Sequence, residues 1–397
     1  MLSDDAIEKL MQPIIDRQQN INTYVIELIA KRVKEIGELS PSDVYKLERL
    51  LKTGADARQI NTELARLTGL QVQDIKKMIR TVALDGYFAV KPYYDYRHKS
   101  FIPFDKNKEL QKVVNAIANQ TAQTYVNISN SRAIGFVIRD FKRPTTLKFQ
   151  SIGNTYQTVI DEAIQAVSGG VVDFNTAMTR TMEQLANSGI RVVWENGYTQ
   201  RLDTAVRRNL QDGIRAINQG VQDEVGRQFN ADGKEITVHA NSAPDHEPIQ
   251  GHQFTNEEYE KLQNAQPFKD VQGNEFTAIN RAIGTLNCRH FSYSIIVGLS
   301  RPMYTQAQLD EMIKRNHAGY TMANGKHLSL YECAQYQRRL ETKIRESKDG
   351  IRMARNLGNE KLEKKFKNRL AKYQNQYRVF SKKTGLRTKP ARLGGKI

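Results

Sequence analysis

Histidine and cysteine, the side chains most often used to bind metals or to act as nucleophiles, are concentrated in one part of this chain. Four of its seven histidines and one of its two cysteines lie between residues 238 and 302. Within this stretch His246 and His252 form one pair, and Cys288 and His290 form another. Imidazole and thiolate are the ligands that zinc prefers in proteins. A zinc site is therefore one hypothesis for these residues.

The spacing of the two pairs argues against zinc. The histidines of the first pair are separated by five residues, and Cys288 and His290 follow after a long gap with one residue between them. This spacing matches no common zinc-finger pattern, and no second cysteine is near. The favoured interpretation is that the histidines hold loops together by hydrogen bonds and that the cysteine is a small buried thiol. The sequence thus predicts neither a metal nor a cofactor.

A cysteine–histidine nucleophile is the other chemical hypothesis. Cys288 and His290 alternate along a predicted strand, so their side chains should point to opposite faces. Only His246 or His252 could then activate the thiol, and a catalytic triad also needs geometry that a sequence does not show. The sequence therefore predicts no catalytic residue and no enzyme.

Two predicted strands position these residues. The first covers 235–240 and the second covers 291–297, because apolar and polar residues alternate in both. Pro244 and Pro248 exclude a helix from the loop that follows the first strand. Gly251 allows the turn conformations that this loop needs. The segment is therefore expected to be a small β-rich module with long polar loops.

The rest of the chain shows helical spacing of apolar residues. Pro13 is expected to break or kink the first helix, and Gly69 to separate two short ones. Residues 189–194 fit either a short strand or a buried segment. The predicted fold class is α+β and predominantly α-helical. Its predicted parts are a helical bundle at 1–86, an aromatic linker at 87–104, a helical region at 105–234, the β-containing module at 235–302 and a basic helical C-terminus at 303–397 with a disordered end.

The aromatic linker gathers tyrosines and phenylalanines around Pro92 and Pro103. Tyrosine offers a large amphipathic surface at low entropic cost, which suits a protein-contact segment. A loop folded onto its own domain would have the same composition. Both interpretations stay open.

The excess of positive charge lies at the C-terminus. The chain has a net charge of +17 and a pI of about 9.6, which favours a polyanionic partner. Residues 338–397 account for +15 of this charge, and the first 337 residues for only +2. An apolar heptad seam from Leu362 to Phe380 predicts a helix held by another helix, and 381–397 are expected to be disordered unless bound. The predicted contacts to DNA are Lys364, Lys365, Lys367, Arg369, Lys372, Arg378, Lys382, Lys383, Arg387 and Lys389.

Other protein classes are excluded by what the sequence lacks. No stretch has the apolar length of a membrane span, and residues 1–5 do not resemble a secretion leader. Two cysteines make no disulfide framework and fit synthesis in a reducing cytoplasm. No phosphate-binding glycine loop is present, so the chain is not predicted to be a DNA-packaging ATPase.

The order of the motifs resembles that of tailed-phage minor capsid proteins, in the Mu-F-like group of minor head proteins. The resemblance covers roughly residues 100–302, and segments 185–197 and 201–209 share it. One departure is Ala243, where family members often carry an arginine that could pair with an acidic neighbour. The motif residues are Pro244, His246, Gln250, Gly251, Asn287, Cys288, Arg289 and His290, joined by Phe254 and Gly298.

This resemblance implies a structural protein of the virion, present in few copies in the capsid interior or at the portal vertex. It implies contact with the portal protein, and possible contact with the major capsid protein, during head assembly or DNA packaging. Non-specific contact with double-stranded DNA fits the C-terminal charge. The alternative is a toxin-like nuclease or another enzyme built on the histidine-rich module. Convergence of His246, His252 and His290 with an acidic residue in one open cleft would favour that alternative.

Overall fold

The computed structural model describes residues 4–38, 55–130, 133–140, 143–169, 174–285, 288, 290–395 and 397. The fold is 62% helical with small antiparallel sheets. The predicted α+β, predominantly helical class is therefore confirmed. None of the described helices is both long enough and apolar enough to cross a membrane.

The helices and strands alternate irregularly along the chain. The α-helices are α1 Asp4–Gly37, α2 Ala55–Phe88, α3 Lys91–Tyr96, α4 Lys108–Ile128, α5 Ile152–Gly169, α6 Phe174–Ser188, α7 Leu202–Gln228, α8 Asn256–Gln263, α9 Gln306–Ala318, α10 Leu330–Leu357 and α11 Glu360–Thr384, followed by a 3-10 helix at Pro390–Leu393. The strands are β1 Ile134–Asp140, β2 Arg143–Ser151, β3 Arg191–Val193, β4 Thr199–Arg201, β5 Gly233–Ile236, β6 Gln253–Thr255, β7 Phe268–Lys269, β8 Glu275–Phe276, β9 Ser292–Ile295, β10 Tyr320–Thr321 and β11 His327–Leu328.

Backbone contacts divide the chain into two compact units, each built from three separate segments. Unit 1 comprises Met1–Met11, Gln73–Gln123 and Arg208–Tyr336. Unit 2 comprises Gln12–Val72, Thr124–Arg207 and Gln337–Ile397. The five consecutive segments of the sequence analysis stay predictions.

The N-terminal helices are longer than the sequence predicts. Helix α1 is 34 residues long and includes Pro13, and α2 includes Gly69. Ile14 and Ile15, which follow the proline, are buried, and burial of this kind offsets the hydrogen bond that proline removes. The predicted separation at Gly69 is therefore wrong, and Pro13 does not break α1, while a kink there stays a prediction. Ser40 and Pro41 also predict the start of a helix, but they lie outside the described residues.

Unit 2 contains a four-stranded antiparallel sheet in the order β2-β1-β3-β4. The predicted helical region 105–234 also contains β1 and β2, which form a hairpin that the sequence analysis does not predict. Alternate residues of β1, namely Ile134, Phe136 and Ile138, are buried. That period of two is the strand signal in the sequence. Strand β3 settles the open question at 189–194 in favour of a strand.

Unit 1 contains the predicted β-rich module. Its three-stranded antiparallel sheet has the order β6-β5-β9, with β5 in the centre. Strands β5 and β9 are shorter than the predicted 235–240 and 291–297. The core against this sheet is made of apolar side chains from the strands and the loops between them: Ile236, Ile249, Phe254, Leu262, Phe268, Ile279 and Ile283.

The aromatic segment 87–104 packs within unit 1. Tyr94 is buried, and its hydroxyl donates to Gln228 Oε1 at 2.8 Å. Its ring lies 5.2 Å from the ring of Phe101 and 4.7 Å from that of Phe229. Tyr96 stays exposed. Of the two interpretations left open, the structure favours a segment folded onto its own unit.

Helix α11 and the part of α10 from Gln337 onward lie in unit 2. Helix α10 ends before Gly358, whose φ is +73°, and Asn359 caps the start of α11 by accepting from the Leu362 amide at 2.9 Å. The predicted seam is buried at Leu362, Phe366, Tyr377 and Phe380.

The extreme C-terminus differs from the expected disorder. Ser381 continues α11 and is buried, and Arg392 is buried in the 3-10 helix. Arg345 of α10 donates to the carbonyl of Arg392 at 2.6 Å, and the Lys389 amide donates to the Tyr377 hydroxyl at 2.7 Å. The high content of lysine and arginine predicts disorder for this segment. Its order depends on hydrogen bonds to main-chain atoms, which amino-acid composition does not predict.

Candidate functional site

Three of the motif side chains meet in the β-rich module. Cys288 Sγ lies 3.3 Å from Nδ1 of His246 and 3.4 Å from Nδ1 of His290. The potential ligand atoms of the three residues all lie within 4.8 Å of one another. The residues are 5%, 0% and 4% exposed, respectively. They form a closed cluster, here called the Cys–His cluster.

The prediction that Cys288 and His290 point to opposite faces is wrong. Strand β9 begins at Ser292, so these two residues precede the strand and do not alternate across it. The Cys288 amide instead donates to the Thr285 carbonyl at 2.8 Å, which closes a turn. Asn287 and Arg289 lie outside the described residues.

His246 is positioned by the loop between β5 and β6. Its amide donates to the Ala243 carbonyl at 3.0 Å in a turn that contains the exposed Pro244. Its ring Nε2 lies 2.6 Å from the carbonyl oxygen of Arg281. A carbonyl only accepts hydrogen bonds, so Nε2 carries the proton. This bond orients the ring so that Nδ1 faces the Cys288 sulfur.

Gln250 orients the second imidazole. Its Oε1 accepts from the His239 amide at 3.0 Å and lies 3.5 Å from Nε2 of His290. The next residue, Gly251, donates its amide to the Ile236 carbonyl at 2.9 Å. The Gln-Gly motif therefore fixes both the loop and the ring of His290.

Charged residues hold the same loop from the outside. Arg281 binds Asp245 through two hydrogen bonds of 3.0 and 2.9 Å. Ala243 stands where the resemblance suggests an arginine, and Arg281 supplies a guanidinium for this acidic neighbour. Glu247 accepts from Asn316 at 2.7 Å and lies 2.7 Å from Nε2 of His317. Both partners belong to α9, so the loop is tied to that helix.

His252 does not join the cluster. Its Nδ1 lies 2.8 Å from Oδ2 of the buried Asp270, which also accepts from the amides of Gln272 and Asn274 at 3.0 and 2.8 Å. His252 lines a cavity of about 280 Å³ together with Gln250. No member of the Cys–His cluster lines this cavity.

The cluster shifts the pKa values of its members in different directions. Burial lowers the pKa of His290 to about 2, so this ring is neutral. Burial also disfavours protonation of His246, but the Cys288 sulfur and the Arg281 carbonyl outweigh it and raise its pKa. Burial raises the pKa of the Cys288 thiol, and the hydrogen bond with His246 helps to reverse this and lower it.

The arrangement does not meet the criterion for a nuclease. Only two of the three named histidines converge, and their site is enclosed. A catalytic cysteine or base must be reached by its substrate, whereas the Cys288 side chain is buried. His246 and His290 are likewise buried, so none of the three side chains of the Cys–His cluster is exposed to solvent.

The predicted DNA contacts follow α11 and the residues after it. Most are exposed, but several already have acidic partners within unit 2. Lys365 pairs with Glu183, and Lys367 pairs with Glu363 at 2.7 Å. Arg369 is half-buried and pairs with Glu346 at 2.9 Å. For five of them no carboxylate lies within ion-pair distance among the described residues: Lys364, Lys372, Arg378, Lys382 and Lys383.

The sequence analysis missed a buried charge network in unit 2. Arg201 donates to Asp349 at 3.1 Å and lies 3.5 Å from Asp203, which pairs with Arg345 at 2.9 Å. The two aspartates belong to α7 and α10, so Arg201 joins these helices inside unit 2.

Comparison with known proteins gives one match. A search of curated proteins and a search of solved structures both found no match. A protein-family model described as phage minor capsid protein 2 matches residues 2–382. The match extends well beyond 100–302, where the motifs lie, and it confirms the predicted phage minor capsid family. This chain belongs to the phage minor capsid protein 2 family, and is thus a component of the virion.

Proposed function

We propose that this protein is a non-catalytic component of the phage head that binds double-stranded DNA through the exposed face of α11. We further propose that it acts at the portal vertex, in contact with the portal protein, during head assembly or DNA packaging. The observation that carries the DNA proposal is the separation of charge and apolar residues around α11.

One face of α11 is buried and the other is basic. The seam residues Leu362, Phe366 and Tyr377 are buried, while Lys364, Lys372 and the later lysines are exposed. The helix has carboxylates only in its first turn, at Glu360 and Glu363. Residues 364–397 contain no acidic residue at all. The basic face of α11 therefore has no acidic residue in 364–397 that could offset its charge.

The lysines on this face are also regularly placed. Lys364 and Lys382 are 18 residues apart, as are Lys365 and Lys383. At 3.6 residues per turn, this spacing is five full turns, so each pair lies on one line about 27 Å long. Lys365 already pairs with Glu183, which leaves Lys364, Lys382 and Lys383 of these four for an outside partner. Exposed lysines on one side of a helix suit a phosphate backbone, because each lysine that reaches a phosphate displaces condensed counterions. Such binding would not depend on DNA sequence.

Burial of the potential catalytic groups favours a structural role over catalysis, because these groups are enclosed in the Cys–His cluster. The lysines exposed on α11 are suited to binding an anionic partner. The basic face could also meet an acidic surface of a portal or capsid protein. The salt dependence of DNA binding separates these two partners.

The test uses the full-length protein with four unpaired lysines replaced. Binding to a random-sequence duplex is measured by fluorescence anisotropy over a salt series. If all four lysines contact phosphates, the log–log salt slope should become shallower by about 3 to 4, at about 0.9 per contact. The variant carries Lys364→Gln, Lys372→Gln, Lys382→Gln and Lys383→Gln.

The control removes the same charge from exposed lysines of unit 1. It carries Lys106→Gln, Lys108→Gln, Lys314→Gln and Lys326→Gln. It should keep most of the affinity and the slope of the wild type. An equal loss in both variants would show that only net charge matters. Absence of salt-sensitive binding by the wild type would exclude DNA as the partner.

A truncation is not a suitable substitute for these variants. Removing residues 381–397 would delete the buried Ser381 and Arg392 and the acceptor of the Arg345 hydrogen bond. Loss of binding could then follow from loss of folding. The exposed lysine side chains can be changed without this difficulty.

A further inference from the structure

We propose that His246, Cys288 and His290 bind a zinc ion that fastens the loop before β6 to the segment before β9. The sequence predicts no metal because the spacing is unlike that of zinc fingers. Ligands can nevertheless come from distant loops, and 42 residues separate His246 from Cys288. Whether these three residues can bind zinc depends on how their ligand atoms are arranged in space.

The first argument is the direction of the lone pairs. Arg281 O and Gln250 Oε1 accept hydrogen bonds at Nε2 of His246 and His290, respectively. The orientation of the glutamine amide is fixed, because its oxygen also accepts from the His239 amide at 3.0 Å. In the neutral rings both Nδ1 atoms are therefore unprotonated, and both face the Cys288 sulfur.

The second argument counts protons. One thiol proton can be donated to only one of the two Nδ1 atoms, so the other lone pair would face the sulfur without a proton. Buried polar atoms are normally paired, and leaving one unpaired costs about 1 to 3 kcal/mol. A divalent cation accepts electron pairs from all three atoms at once. Binding would release the thiol proton to solvent and leave a thiolate ligand.

The third argument is distance. Zinc–sulfur and zinc–nitrogen bonds of about 2.3 and 2.0 Å place sulfur and nitrogen about 3.5 Å apart around a tetrahedral ion. The two distances from Cys288 Sγ to the imidazole nitrogens are 3.3 and 3.4 Å and match this value. The two nitrogens lie within 4.8 Å of each other, and binding would hold them about 3.3 Å apart. One thiolate with two imidazoles favours zinc over magnesium or calcium, which prefer oxygen ligands.

The surroundings also match those of metal sites. Metal-binding histidines almost always donate their second ring N–H to a carbonyl or carboxylate, which fixes the ring. Arg281 O and Gln250 Oε1 do this here. Three protein ligands leave a fourth position for a water molecule or for His239, whose ring centroid lies 4.6 Å from that of His290. Burial of all three ligands points to a structural ion.

The test is the metal content of the untagged, full-length protein, produced with added zinc and purified without chelators. Mass spectrometry of the metal should find about one zinc per chain. Cys288→Ala and His246→Ala should lose it. The matched control is Cys333→Ala, which removes the other buried thiol and should keep the zinc.

A second measurement does not depend on the folding of a ligand variant. Wild-type protein stripped of metal is titrated with Zn²⁺ against a chromophoric chelator, and the titration is repeated with Gln250→Leu. Loss of the Gln250 acceptor should weaken zinc binding by about 10- to 100-fold. Failure of the stripped wild type to bind zinc would overturn the proposal. Equal zinc in Cys288→Ala and Cys333→Ala would also overturn it.

Discussion

Among single residues, Gly251 shows how strictly the motif loop is constrained. Its φ of +77° lies in the left-handed region, and a Cβ placed on it would lie 2.6 Å from Cδ2 of Leu309. Gly273 has a similar φ of +88°, but a Cβ there would meet nothing within 4 Å. Substitution of Gly273 by alanine should therefore cost only backbone strain, whereas the same substitution at Gly251 should cost strain and a steric clash.

Gly251→Ala should lower the free energy of unfolding more than Gly273→Ala does. Strain in the left-handed region costs about 1 to 2 kcal/mol, and overpacking adds about 1 to 3 kcal/mol. We therefore expect a loss of about 1 to 2 kcal/mol for Gly273→Ala and about 2 to 5 kcal/mol for Gly251→Ala. Urea unfolding of both variants measures the difference, and equal losses would show that the loop can move away from Leu309.

The residues of the candidate site could be named from the sequence, but their arrangement could not. Residue type and order identified His246, Gln250, Cys288 and His290 as one structural set. Cys288 and His290 were expected on opposite faces of a strand, but both precede β9, which begins at Ser292. Their positions depend on a turn in which the Cys288 amide donates to the Thr285 carbonyl, and such a turn has no periodic signal in the sequence.

At the scale of elements, α5 and α6 meet at a titratable carboxyl group. Glu162 of α5 accepts from the Thr181 hydroxyl of α6 at 3.1 Å. Burial raises the pKa of Glu162 to about 7, which the Thr181 hydrogen bond only partly opposes. The charged form is thus disfavoured in the folded protein.

Stability should therefore fall as the pH rises through the interval from 4.5 to about 7. In this interval the folded state retains a proton that the unfolded state has released, so deprotonation favours unfolding. Glu162→Gln should remove this contribution, and its melting temperature should exceed that of the wild type most clearly at pH 8.

The pH series needs one comparison variant. Thr181→Val removes the hydrogen bond but keeps the carboxyl group, so its loss of stability should continue to higher pH than in the wild type. Melting temperatures from pH 4 to 8 test both variants. An unchanged pH profile in Glu162→Gln would mean that another group controls stability in this range.

Elements were predicted best where periodicity and end signals agreed. Gly358 predicts a helix end and the heptad positions of α11 predict a buried seam. Helix α10 does end at Leu357, and Leu362, Phe366, Tyr377 and Phe380 are buried. Pro13 does not break α1, because burial on the following turn outweighs a local preference. The β1–β2 hairpin is not predicted although Ile134 and Phe136 begin a period-two pattern, because that pattern is short beside the helical segments on either side.

At the scale of the whole molecule, membership of the family places the protein in the virion, and its position there stays a prediction. If it binds at the portal vertex, heads assembled without portal protein should lack it. Mass spectrometry of purified heads with and without portal measures this directly. The major capsid protein serves as the internal reference. Equal amounts in both kinds of head would contradict portal association.

The two units also share the chain in an interleaved order, which affects their synthesis. Unit 1 cannot be complete before residue 336 has left the ribosome, and unit 2 needs its last segment, which begins at Gln337. Contacts between segments so distant in sequence slow folding, because long loops must close first. Much of the chain therefore stays partly folded until translation is nearly complete. Its exposed apolar surface makes it a candidate client of host chaperones at the time when heads are being built.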